Sequence, residues 1–312
     1  MNSTFAEVPA AAAGNPAPPP AAPLGRTLLT LVRREFWEHR GLWMWPLCVA
    51  GLLVVGAFVA HGTFDAPPFA NAESKAALST ILQWGLWVPL NLVMLICVTF
   101  YLLDCLYAER RDRTILFWKS LPVSDGLTVL TKLLVAMVIV PFGVFALAIV
   151  THLVFSVVVA MRVALHSAPA ILGWDALEWL RTVLALLLVL VIGILWYAPA
   201  AACLLLISAW ARRSPFVWAT LPPLVAPLLE RILFGTHYLW SFLSYRTAGI
   251  WHTLLLGHSH LITRQHVRPV GTLLNDLNFR GAFLDVDLWL GVAATAAMVF
   301  AAIRIRRYRD ET

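Results

Sequence analysis

Charge is scarce in this 312-residue chain: Asp, Glu, Lys and Arg make up 13% of it, against 60% hydrophobic residues. A soluble domain carries roughly 25% charged residues, so a soluble globular class is excluded and an integral membrane protein is expected. Cysteine is sparse as well. The four present, Cys48, Cys97, Cys105 and Cys203, lie within or at the edges of apolar runs, which argues against a disulfide framework or a metal knot. No Gly-x-x-x-x-Gly-Lys-Ser/Thr phosphate loop occurs, nor a soluble domain large enough to hold a nucleotide, so ATP hydrolysis by this chain through that route is excluded. Acids deep in the apolar runs are missing too. The ionisable candidates are Asp104, His152 and Glu230 with Arg231; none is both central and acidic, which disfavours an ion-coupled carrier. The net charge of +6 does not point to nucleic acid, because the basic residues cluster just outside the apolar runs, where they act as topology and headgroup signals.

What the chain does have is a series of apolar runs of membrane-crossing length. Residues 1-23 form an Ala/Pro-rich tail without lysine or arginine, expected to be disordered and not a secretory signal. From Leu24 to Arg40, Leu28, Leu31, Val32 and Phe36 fall at helical spacing with Arg33, Arg34 and Glu38 interleaved. This predicts an amphipathic helix at an interface; an ordinary charged lead-in to the first span fits the same pattern. Spans are expected at about 42-60, 84-106, 127-161, 182-210, 216-234 and 288-303 within a membrane domain covering 24-312. The third, about 35 residues or roughly 52 Å at ~1.5 Å each, exceeds a ~30 Å hydrocarbon core and must tilt, project or kink near Pro141. Pro215, Pro222, Pro223 and Pro227 argue against a straight fifth span. Tyr238 to Leu256 is expected to lie in the outer leaflet or to form a re-entrant hairpin, because a seventh crossing would carry the RIRRYR terminus outside. Most of the 23 lysines and arginines then face inward, giving a multi-pass cell-membrane protein with both termini cytoplasmic.

Between the second and third runs stands the most informative stretch, Tyr107 to Lys132, YAERRDRTILFWKSLPVSDGLTVLTK. Ile115, Leu116, Trp118 and Leu121 share an apolar face and Arg110, Arg111 and Arg113 stay polar. Pro122 ends that helix, and Ser124 and Asp125 suit the start of the next. The expected product is a small amphipathic helix held at the membrane surface between two long spans.

This loop resembles the cytoplasmic loop of the permease subunits of type 2 ATP-binding-cassette (ABC) exporters, in Glu109-Arg110, Ser120-Leu121-Pro122 and Lys132. The lead-in helix, six spans and a large outside loop before span six are similar to that family. The resemblance implies an all-α exporter permease that is not itself an enzyme and that dimerises with an identical or a different permease chain. It also implies a separate ABC ATPase subunit that binds the ATP and Mg, leaving this chain without a cofactor. Glu109, Arg110, Arg111, Asp112, Arg113, Phe117, Trp118, Lys119, Leu121 and Pro122 would form the ATPase-coupling helix. Lys132 would anchor the following span at the headgroups. The loop before span six and the Ala/Pro tail depart from the family pattern.

A second reading uses the histidines of the outside loop. His258 and His260, with His266 nearby, are weak candidates for zinc or copper ligands, and would make the chain a membrane enzyme or metal-handling protein.

Overall fold

The computed structural model describes residues 24–59, 72–112, 123–165, 176–255 and 277–308. Among these all regular structure is helical. The elements are α1 (Leu24–Glu38), α2 (Gly41–Val59), α3 (Ala72–Asp104), α4 (Tyr107–Arg111), α5 (Asp125–Leu134), a π-turn (Val135–Ile139), α6 (Val140–Leu165), α7 (Ala176–Trp210), α8 (Pro215–Phe234), α9 (Tyr238–Leu255), α10 (Phe279–Leu284) and α11 (Val286–Tyr308).

Six stretches are long and apolar enough to cross a membrane: Gly41–Val59, Gly85–Arg111, Asp125–Met161, Trp179–Trp210, Pro215–Phe234 and Val286–Tyr308. This fits a multi-pass membrane protein, and the stretches coincide with the runs read from the sequence. The large apolar side chains on their outer faces, such as Leu52, Phe58, Leu92, Leu188 and Leu224, are exposed, as expected of helices solvated by lipid rather than water.

The helices pack through small residues. α7 and α11 form the most extensive pair, with Ala201, Ala202 and Ala209 of α7 and Ala302 of α11 buried in one cluster. Small side chains let two backbones approach where lipid supplies no hydrophobic drive. Gly143 of α6 does the same for α2: a Cβ built there would lie 2.6 Å from Cζ3 of Trp43.

The long third span is not a uniform α-helix. Pro141 has no N–H, and its ring would crowd the carbonyl four residues back, that of Met137. The π-turn surrounds that carbonyl, and Val140 N–H donates to Val135 O, a step of five residues. The irregularity expected at Pro141 is therefore an inserted residue just ahead of it.

Although it contains Pro222, Pro223 and Pro227, α8 is one helix, and it is the least buried of the six spans. Ser214, in the left-handed region at φ 37°, precedes Pro215 at its first turn, and Gly235, at φ 67°, ends it. Across that turn the Glu230 carboxylate accepts from Tyr238 N and Leu239 N, both 2.8 Å, capping α9. α9 packs on α7, α8 and α10. Trp196 Nε1 donates to Arg246 O at 2.9 Å, the Arg246 guanidinium lies 4.8 Å over the Trp196 ring, and Tyr245 donates to Asp287 at 2.7 Å. Burial and that carboxylate together push the Tyr245 phenol up to about 12.

Candidate functional site

The buried charged side chains among the described residues, Glu35, Glu109, Lys132 and Arg306, gather where α1, the ends of α3 and α11, and the short α4 and α5 meet. The sequence places them there one at a time. On α1, Glu35 follows Leu31 by four residues and Val32 by three, so it belongs to the apolar face and is buried with Leu31. A two-residue turn at Cys105–Leu106 ends α3 and starts α4, burying Glu109. Ser124 caps α5, its Oγ accepting from Leu127 N at 3.2 Å, which sets Asp125 in the first turn and Lys132 in the last. On α11, Arg306 follows buried Ala302 by four and points the same way.

Lys132 is the centre of the group. Its Nζ is fully enclosed, 2.8 Å from Glu35 Oε1 and 3.1 Å from Glu109 Oε1. Glu109 then reaches Arg306, with Oε2 2.6 Å from Nη1, and Arg34 at 3.5 Å. Arg306 Nε pairs with Asp125 at 3.0 Å. The second oxygen of Glu35 accepts from Tyr101 of α3 at 2.9 Å and faces His39 Nδ1 at 3.4 Å. Five helices are thus joined by one relay: α3 and α1 through Glu35, α5 through Lys132, α4 through Glu109 and α11 through Arg306. Isolated buried charges would be prohibitive; here each faces an opposite charge. Burial alone would raise the Glu35 carboxyl, but the neighbouring His39 imidazole and the Lys132 ammonium outweigh it and hold it at about 2.

A second contact fastens the loop to α7. Ser208 Oγ accepts from both Leu106 N (3.2 Å) and Tyr107 N (3.1 Å), and Arg110 Nη2 donates to Ser208 O (2.6 Å) and Ala211 O (2.9 Å). These are the donors and acceptors that helix ends leave open.

Several expectations of an ATPase-facing surface therefore land differently. Glu109 is buried in the relay and Arg110 is spent on α7. Lys132 is fully buried between two carboxylates instead of turned out towards headgroups, because its ammonium pairs with Glu35 and Glu109. Arg111 and Asp112 are exposed and pair with each other at 3.0 Å, with Arg111 over the Tyr107 ring. Arg113, Phe117, Trp118, Lys119, Leu121 and Pro122 lie outside the described residues, as do His258, His260 and His266.

Glu35, Tyr101 and Arg306 were missed by the sequence reading, although an acid in register with the apolar positions of α1 was a usable signal. Glu35, Glu38 and His39 bring ligand atoms within 4.8 Å of one another. Those carboxylates already hold Lys132 and Arg34, at 2.8 Å and 2.6 Å, which leaves a metal ion competing with two fixed cations. Elsewhere, His152 Nδ1 accepts from Trp179 Nε1 at 3.2 Å beside a cavity of about 30 Å³, room for about one water, and acts there in helix packing. Comparison of the chain with protein-family models, curated proteins and solved structures finds no match.

Proposed function

We propose that this chain is the permease subunit of an ABC-type exporter, forming the substrate pathway in a dimer and driven by a separate ATPase subunit that binds ATP and Mg. The observation that carries this reading is the ionic relay. It ties the two described ends of the 107–125 loop, through Glu109 and Asp125, to α1, α3 and α11 as well as to α5, the start of the third span. A push on that loop from a docked protein would be delivered to three membrane spans and the lead-in helix at once. A loop that only connected two spans would have no need of Glu109 and Arg306, which are 197 residues apart in sequence. In this reading Arg111, Asp112 and the segment up to Pro122 meet the ATPase, while Glu109, Lys132 and Arg306 pass the displacement inward.

The test is affinity purification of the detergent-solubilised protein from its native membrane. A soluble ATPase should co-purify, and Arg111→Glu with Asp112→Lys should release it without altering thermal unfolding, because both side chains are exposed. Reversal at Arg110 is a poorer probe, since it also cuts the α7 contact. A folded preparation that never carries an ATPase refutes the proposal.

A further inference from the structure

α1 and the first turns of α2 enclose an open groove of about 770 Å³, lined by Leu29, Arg33, Phe36, Trp37, Arg40 and Met44, among others. Its floor is the stacked pair Phe36 and Trp43, ring centroids 4.2 Å apart. Leu29, Trp37 and Met44 are 70%, 61% and 58% exposed. α2 is the first of the membrane-length helices, and the groove lies at its start, where a bilayer passes from headgroup to acyl chain.

The charge lining this groove is of one sign. Arg33 and Arg40, seven residues apart and so on one face of the chain's helical path, have no carboxylate partner among the described residues. The acids of α1, Glu35 and Glu38, are committed to Lys132 and Arg34. The Arg40 guanidinium lies 5.5 Å over the Trp37 ring, keeping its donor edge available.

We infer that this groove is a binding site for an anionic phospholipid, with the phosphate between Arg33 and Arg40 and an acyl chain along Leu29, Trp37 and Met44. A zwitterionic headgroup would bring its own cation to two uncompensated guanidiniums; an anionic one brings the charge they lack. The opposite face of α1 carries Glu35 into the relay, so the bound lipid sets the position of one arm of that relay. The inference depends on the chain being a membrane protein and not on the exporter reading.

The test is native mass spectrometry of the full-length protein with phosphatidylglycerol or phosphatidylcholine added back after delipidation. Wild type should retain phosphatidylglycerol preferentially. Arg33→Gln and Arg40→Gln should each weaken retention about fivefold and the pair ~30-fold, with thermal unfolding unchanged because both side chains are exposed. Each single variant stands alone should the pair fail to fold. Equal retention of the two lipids by wild type, or unchanged retention by the variants, overturns the inference. So does displacement by millimolar inorganic phosphate, which would mark a free-anion site.

Discussion

Replacing Lys132 with methionine keeps the length and apolar stem of the side chain and removes only the ammonium. Two buried carboxylates lose a partner. Glu109 retains Arg306 at 2.6 Å and Arg34 at 3.5 Å, but Glu35 is left with Tyr101 and His39. Removing one partner of a buried ion pair costs about 3–5 kcal/mol, most of it the exposure of the orphaned charge to a low-dielectric surrounding. At roughly 2–4 °C per kcal/mol for a chain of a few hundred residues, Lys132→Met should unfold about 10 °C below wild type in detergent. The second half of the experiment separates charge from packing. In Lys132→Met with Glu35→Gln the orphaned carboxylate is gone, and the double variant should recover a coupling energy of about 2 kcal/mol. Thermal unfolding of the four proteins of this cycle, followed by fluorescence-detected size exclusion, measures it. A coupling below ~0.5 kcal/mol would mean that the two side chains act independently, and the relay as described would be refuted.

Acid should loosen the same junction. The folded-state carboxyl of Glu35 is held at about 2 against an ordinary 4.5, so its contribution is complete above pH 4.5 and is lost as pH falls towards 2. That gap corresponds to about 3 kcal/mol, and Glu35→Gln should flatten the stability profile across this window in a pH-resolved melting series. Ser208→Ala strips the acceptor from Leu106 N and Tyr107 N; leaving buried donors open costs about 1–3 kcal/mol, and faster hydrogen exchange at those two amides is the site-specific readout. Gly143→Ala forces a methyl against Trp43 and should destabilise by about 1–3 kcal/mol; simultaneous Trp43→Leu should relieve it, and a neutral single variant would show that the contact is slack.

The membrane-length helices were legible because length and hydropathy are local properties, readable from Leu133 to Met161 or from Leu42 to Val59 without knowing what surrounds them. The Ser124 cap was legible for the same reason. The relay was not, because Glu35 and Lys132 are 97 residues apart and Glu109 and Arg306 are 197 apart. No local pattern states which buried charge meets which. Arg110 shows the limit sharply: in a run of charged residues it reads as surface, yet its reach carries the guanidinium to open carbonyls at the end of α7. Arg111, one residue on, is exposed and pairs with its neighbour Asp112 instead.

Lys132 and Gly143 belong to one continuous span and are eleven residues apart. In a regular α-helix, at ~100° per residue, they would face within roughly 20° of each other. The extra residue in the turn between them swings the downstream face by about a quarter of a circle, so that one rod addresses the ionic junction at its base and the α2 indole of Trp43 higher up. Deleting a single residue from 135–139 would leave those two faces still about 80° apart, ten residues along a regular helix, and would instead return the Pro141 ring to the carbonyl four residues back.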